Sequence, residues 1–192
     1  MGRFEKPERR SVTRYLRRDL PVVELGGSIG VVACVTNKLL KNPTAHLVVE
    51  ANPQVLPHLQ QNKEANGCKF EITNRAIAYG VDSITLHPTS DICGSSVLAA
   101  GDQPPVTIET ARLGDLVRER GFTNFTLICD IEGQEYEMVQ HEQDILKNAS
   151  MIILETHARM IGEDKVRSMM DRLRDLGFRL IDQNEFVVVL QQ

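Results

Sequence analysis

The sequence has no long apolar run. Nothing in its 192 residues approaches the roughly 18 consecutive apolar residues of a membrane span, and the first 20 lack the apolar core of a secretory leader. The expected setting is therefore the cytoplasm, with no membrane partner. Cysteine is scarce too: Cys34, Cys68, Cys93 and Cys129 show no C-x-x-C spacing, and two of them sit inside apolar runs, so they read as small hydrophobes in a reducing compartment. Positive charge is not in excess. A net charge of −4 with both signs interspersed leaves no electrostatic footprint for nucleic acid. The local exception is Arg9, Arg10, Arg14, Arg17 and Arg18, which read as the solvated face of a leading helix. Internal repeats and low-complexity tracts are missing, and the length suits one domain over residues 1–192.

What is present is an alternation of short apolar runs and helical stripes. Val12, Tyr15, Leu16 and Leu20 give a short amphipathic helix, expected to cover a ligand's edge or one end of a sheet. Val22 to Leu25 form a strand that breaks into Gly26-Gly27-Ser28-Ile29-Gly30, and a helix follows over residues 29–41. A second strand covers 46–50. Asn52 then offers an N-cap and Pro53 a first helical position, for a helix ending at Gly67. A third strand covers 69–74. Strand, helix and strand in this alternation imply a parallel, doubly wound α/β sheet.

Residues 76–79 and 83–86 read as short strands, and 87–105 as a loop rich in Ser, Gly, Pro and Asp. Thr110 is placed as the cap of a helix that Gly121 closes. A fourth strand runs over 125–130, a short helix follows Gly133, and a fifth strand runs over 151–155. The stripe Val166, Met169, Met170, Leu173, Leu176 is a core-facing helix capped by Gly177, and 178–181 with 186–190 flank a turn as a hairpin.

Strand, glycine turn and helix form a cradle. The helix points its unpaired N–H groups at the turn, and Glu50, at the end of the second strand, is placed to accept hydrogen bonds from ribose hydroxyls. A ligand containing an adenosine is expected. The glycines do not follow the G-x-G-x-x-G pattern of dinucleotide binders, and the closing hairpin departs from a dehydrogenase fold.

Four stretches taken together resemble the FkbM family of class I S-adenosylmethionine-dependent methyltransferases. They are Val23 to Gly30, Glu50-Ala51-Asn52-Pro53, Asp130-Ile131-Glu132-Gly133-Gln134-Glu135 and Ile153-Leu154-Glu155-Thr156-His157, in the family's order. The resemblance implies a three-layer Rossmann-like methyltransferase fold. Its seven-stranded, mostly parallel sheet would have the order 3-2-1-4-5-7-6 and a C-terminal antiparallel hairpin. It implies S-adenosylmethionine as cofactor, held by Glu24, Gly26, Gly27, Ser28, Gly30, Glu50, Ala51, Asn52, Ala76 and Asp130, and O-methylation of a small-molecule hydroxyl. Ala51, Cys129 and Gly114 stand where the family usually has proline, lysine and an acid.

Glu24 is expected at the methionine end of the cofactor; the alternative is a strand-end residue bonded to nearby backbone. Ala76, in the Asn74–Ile77 stretch, borders an adenine or simply packs in the core. Asp130, Glu132 and Glu155 converge beyond the strand ends with His157 nearby. There they serve as a general base or hold a divalent cation; the alternative is that Glu132 and Glu155 merely cap the following helices or pair with arginines. The metal-free version is preferred because no helix carries these acids and a histidine at ligand spacing. A non-catalytic nucleoside-binding scaffold on the same fold is the alternative function. Association into a homo-oligomer is compatible with a chain that has no separate acceptor domain.

Overall fold

The computed structural model describes residues 5–88 and 103–192; Cys93 and most of the loop expected over 87–105 lie outside them. Helix α1 (Lys6–Tyr15) precedes β1 (Val22–Leu25), α2 (Val31–Leu39), β2 (His46–Val49), α3 (Leu56–Ala65) and β3 (Glu71–Thr73). Three strands, β4 (Ala76–Ile77), β5 (Ser83–Leu86) and β6 (Val106–Ala111), lead to α4 (Leu113–Glu119) and β7 (Phe125–Cys129). Helices α5 (Glu135–His141) and α6 (Gln143–Leu146) precede β8 (Ala149–Glu155). The chain ends with α7 (Ala158–Ile161), α8 (Glu163–Asp175), β9 (Arg179–Asn184) and β10 (Val187–Gln191).

The seven-stranded sheet has the order β3-β2-β1-β7-β8-β10-β9. Numbered among themselves, these strands read 3-2-1-4-5-7-6, as the resemblance implies. Strands β1, β2, β3, β7 and β8 are parallel, while β10 runs antiparallel to both β8 and β9. Successive side chains of a strand point to opposite faces, and both faces are covered here, which is why the runs are apolar throughout. Val23, Leu127, Cys129, Ile152 and Leu154 pack under α4, α5, α6 and α8. Val22, Ile128, Ile153 and Val187 face α1 and α2, where Val12, Leu16, Val32 and Leu40 meet them. Helix α1 therefore lies across β8 and β10 and beside α2, covering the sheet rather than standing off from it.

Three local expectations are corrected. Helix α3 begins at Leu56, not at Pro53: the Asn52 carboxamide accepts the Gln54 N–H at 3.0 Å and closes a turn over 53–55 before the helix starts, with Pro57 in its first turn. Thr110 caps nothing. It belongs to β6, its hydroxyl donates to the Val81 carbonyl at 2.5 Å, and Arg112 precedes the helix. The hairpin turn is shorter than 182–185, because β9 continues to Asn184. Strand β6 pairs antiparallel with β5 and parallel with β4 in a second, three-stranded sheet.

Candidate active site

Because the parallel strands all point one way, the ends of β1, β2, β7 and β8 open on one side, where open α/β sheets bind ligands. Glu24, Asp130 and Glu155 meet there in a narrow cleft that also touches Gly26, Val32 and Ile153. Glu24 is 1% exposed. His46 Nε2 lies 3.2 Å from its Oε2, and the Asn37 carboxamide nitrogen lies 3.3 Å from His46 Nδ1. The amide donates to Nδ1, so the His46 proton sits on Nε2 and is given to Glu24. Asn37 is itself fixed, its oxygen accepting the Lys69 N–H at 2.8 Å and its nitrogen donating to the Pro43 carbonyl at 2.7 Å. Glu24 Oε1 is left without a hydrogen-bond partner, on a side chain that lines the cleft.

The glycine turn is held from two sides. The Glu50 carboxylate accepts the Ser28 N–H through Oε2 and the Asn52 N–H through Oε1, both at 2.7 Å, which clamps the turn after β1 to the end of β2. Ser28 takes a left-handed φ of 45°, unusual for a residue with a Cβ, and its bond to Glu50 helps to hold it there. Burial raises the Glu50 carboxyl above the usual range even though those N–H groups pull it down. At Gly26 the missing side chain serves the protein itself: a Cβ there would lie 1.7 Å from the Asp130 carbonyl oxygen, so the close approach is β1 to β7 rather than chain to ligand. The Asn74 carboxamide donates to the Glu50 and Ala51 carbonyls at 2.8 and 2.9 Å. Ala76 is buried with Leu86 and Ile108, with Ala51 packed against them.

Beyond β7 the chain reverses sharply through Glu132, at φ 52°, and Gly133. Glu135, 0% exposed, secures the turn by accepting the Ile131 N–H at 2.8 Å and the Gly133 N–H at 2.9 Å. Its Oε1 also lies 3.0 Å from His157 Nδ1, in contact though off the line of a well-aligned hydrogen bond. The other ring nitrogen, Nε2, faces Asp130 Oδ1 at 3.4 Å, Glu132 Oε2 at 3.5 Å and Glu155 Oε1 at 3.7 Å. All three expected acids thus converge on His157. Burial raises the Asp130 carboxyl to about 7, with Glu132 and Glu135 adding to the rise and His157 opposing it. Burial lowers the imidazole, but Glu135, Asp130 and Glu132 outweigh it and leave His157 raised. The group that these three acids face together is an imidazole rather than an arginine. The argument against a metal also loses its basis, because the histidine joins the acids from a strand end rather than along a helix.

Two further acids come from a segment read as a basic, solvated helix. Helix α1 turns Glu8, 6% exposed, into the cleft, and Glu5 lines it too. Glu8 shares a hydrogen bond with Glu155, whose carboxyl is raised to about 10 by burial first and by that bond second. Glu5 is raised to about 8, chiefly by burial, then by the charges of Glu24, Asp130 and Glu8, while the Val32 N–H at the start of α2 opposes the shift. A carboxyl raised in the folded state favours the fold most at low pH. Docking of α1 should be tightest below about 4.5, where unfolded glutamate is still protonated, and should weaken as pH rises through about 8. Hydrogen exchange at Val12, corrected for its intrinsic pH dependence, should quicken by about tenfold or more between pH 5 and pH 8. Glu5→Gln should flatten that rise.

The sequence matches the methyltransferase FkbM domain over residues 24–180, from within β1 to the start of β9. The chain belongs to the FkbM methyltransferase family. No match is found among curated proteins. Solved structures similar to this FkbM methyltransferase include an O-methyltransferase from Bacillus cereus in complex with SAH, at 9% identity and TM-score 0.59 over 100% of this chain and 83% of that one. A precorrin-6y C5,15-methyltransferase from Geobacter metallireducens GS-15 is 12% identical, with TM-score 0.57 over 97% and 89%. A ribosomal protein L11 methylase from Lactobacillus delbrueckii subsp. bulgaricus is 11% identical, with TM-score 0.55 over 99% and 78%. At such identities the likeness is one of fold.

The family's departures have local counterparts here. A side chain at Gly114 would meet the buried Glu142 carboxylate, whose Oε2 lies 3.0 Å from the Cβ position, so an acid from the turn before α6 fills the space beside α4. Cys129 is 1% exposed in the core under α4 and α5. No helix is long and apolar enough among the described residues to cross a membrane.

Proposed function

We propose that this FkbM methyltransferase binds S-adenosylmethionine beyond the ends of β1, β2 and β7, with its methionine end toward the cleft, and methylates a hydroxyl of a small molecule. The observation that supports it most is the unpartnered Glu24 Oε1 in a cleft whose charged lining is all carboxylate, which suits a ligand carrying an ammonium and a sulfonium. Glu24 would receive the ammonium. Glu50 keeps lone pairs beyond the two N–H bonds it accepts, and these would take the ribose hydroxyls. Gly26, Gly27, Ser28 and Gly30 shape the turn between them, with Ala51 and Asn52 beside the ribose and Ala76 toward the adenine.

When bound, S-adenosylmethionine supplies a methyl group that is already electrophilic. The protein then has to bring an acceptor oxygen into line with it and remove the oxygen's proton, and alignment contributes much of the acceleration. Asp130, raised to about 7, is the carboxylate suited to take that proton near neutrality. Glu132 and Glu155 border the acceptor side, and Glu155 holds its own proton with Glu8. Incubation with S-adenosylmethionine and a pool of hydroxylated metabolites should release S-adenosylhomocysteine; release only with amines would overturn the assignment to oxygen.

Glu50 gives a separate test. Glu50→Ala should weaken S-adenosylmethionine binding by about 1–3 kcal/mol in calorimetry, the scale of hydroxyl groups left without their acceptor. Unchanged affinity would place the ribose elsewhere.

A further inference from the structure

We infer that Asp130, Glu155 and His157 form a binding site for a divalent transition-metal cation of the Mn2+ or Zn2+ type. One ligand atom from each residue lies within 4.8 Å of the other two. His157 Nε2 is 3.4 Å from Asp130 Oδ1 and 3.7 Å from Glu155 Oε1, near the roughly 3 Å that separates adjacent donors around an ion with bonds of about 2.1 Å.

Three observations separate this cluster from an ordinary acidic patch. The first is the imidazole. Glu135 lies against Nδ1, as a carboxylate behind a metal-bound histidine does, and so favours the tautomer with its proton on that nitrogen. The other nitrogen, Nε2, faces the carboxylates of Asp130, Glu132 and Glu155 at 3.4, 3.5 and 3.7 Å, the place where a cation would stand in for the imidazole's own proton. The second is a pair of buried polar atoms without hydrogen-bond partners, Asp130 Oδ1 and Glu8 Oε2. Glu8 is 6% exposed and lines the same cleft as Asp130 and Glu155. An unpartnered buried carboxylate oxygen is costly, and here such oxygens gather around one small volume. The third is charge. None of the described residues lining the cleft is a lysine or arginine, while Glu5, Glu8, Glu24, Asp130 and Glu155 all do line it.

The donor set chooses among cations. A histidine beside two carboxylates suits Mn2+, Fe2+ or Zn2+, whereas Mg2+ and Ca2+ prefer oxygen alone. The ion would neutralise the acids that now share protons, and its binding would release those protons. This inference concerns the cation only and stands whether or not the acceptor is a hydroxyl.

The test uses the full chain, stripped with chelator, titrated with Mn2+ alone, with no cofactor or acceptor present. Calorimetry should show one site per chain, with Mg2+ competing at least tenfold more weakly. Pulsed electron paramagnetic resonance of the bound Mn2+ should show coupling to one imidazole nitrogen. His157→Gln should abolish that coupling and weaken binding by tenfold or more, while Glu163→Gln, a surface acid on α8, should leave both unchanged. No saturable Mn2+ binding, or binding without nitrogen coupling in the unaltered chain, would overturn the site. The unaltered chain alone decides this, so a variant that misfolds does not obscure it. S-adenosylmethionine affinity, measured separately on the metal-free chain, reports on the methyltransferase reading.

Discussion

Asp130→Asn is expected to bind S-adenosylmethionine as tightly as the unaltered chain and to turn over roughly 10²–10⁴-fold more slowly, the range for losing a general base. Asparagine is isosteric and keeps the shape beside Gly26, where the contact is with the Asp130 backbone carbonyl rather than the side chain. The fold and the turn held by Glu50 should therefore be preserved. What disappears is a carboxylate that burial has raised to about 7 and that ends the strand next to the one carrying Glu24. The measurement is kcat on an identified acceptor beside cofactor affinity by calorimetry. A chelator then divides the two duties of the residue: if Asp130 acts as a base alone, the unaltered enzyme ignores the chelator, and if it also holds an ion, activity falls and returns with Mn2+. Full turnover by Asp130→Asn on that acceptor would refute both duties and leave the carboxylates structural.

The largest loss of stability is expected from Gly26→Ala. Gly26 sits at φ 86°, a conformation that costs a residue with a Cβ about 1–2 kcal/mol by itself. The new methyl would lie 1.7 Å from the Asp130 carbonyl oxygen and 2.8 Å from its carbon, and both neighbours are backbone, with no flexible side chain to swing away. Relief requires β1 and β7 to part at the point where the Asp130 N–H bonds the Leu25 carbonyl at 2.9 Å. Strain and overpacking together should cost about 3–5 kcal/mol, a large part of the stability of a domain this size. Chemical denaturation should show the midpoint fall with little change in slope. A loss below about 1 kcal/mol would mean that the β1–β7 approach is looser than described.

Most of the main sheet could be read in the sequence because its strands are buried on both faces and so appear as uninterrupted apolar runs, as in Phe125–Cys129 and Met151–Leu154. Strand β6 was not legible. Val106–Ala111 buries Ile108 between exposed Thr107 and Glu109 but next buries Ala111, on the opposite face, so no period of two runs through it, and it belongs to a small sheet outside the main alternation. The four-residue helices α6 and α7 are too short to carry a period.

The site divides in the same way. Asp130, Glu132 and Glu155 were visible because strand ends place them, while the residues that set their properties were harder to find. Glu135 was in plain view within the Asp130–Glu135 stretch, but its bonds to the Ile131 and Gly133 N–H groups depend on a left-handed turn that no local pattern reveals. Asn37 and His46 act through a buried chain that spans α2, β1 and β2. Glu5 and Glu8 were masked by arginines around them: the helix turns its acids inward and leaves Arg14 exposed, so charge composition gave the wrong face. A helical stripe of Val12 and Leu16 contains the correct face, with Glu8 one turn before Val12.

The pairing of β5 with β6 also bears on how the protein can change over evolution. Leu86 lies opposite Val106, and the Gln103 N–H bonds the Pro88 carbonyl at 3.1 Å, so the two ends of the intervening segment are fastened to each other before that segment begins. Lengthening a connection whose ends are already joined adds only the entropy of a larger closed loop, about 0.6 kcal/mol for each doubling. The pairing of Leu86 with Val106 and the bond from Gln103 to Pro88 thus fix β5 against β6 whatever the length of chain between them, so a change in that length over evolution leaves the small sheet in register.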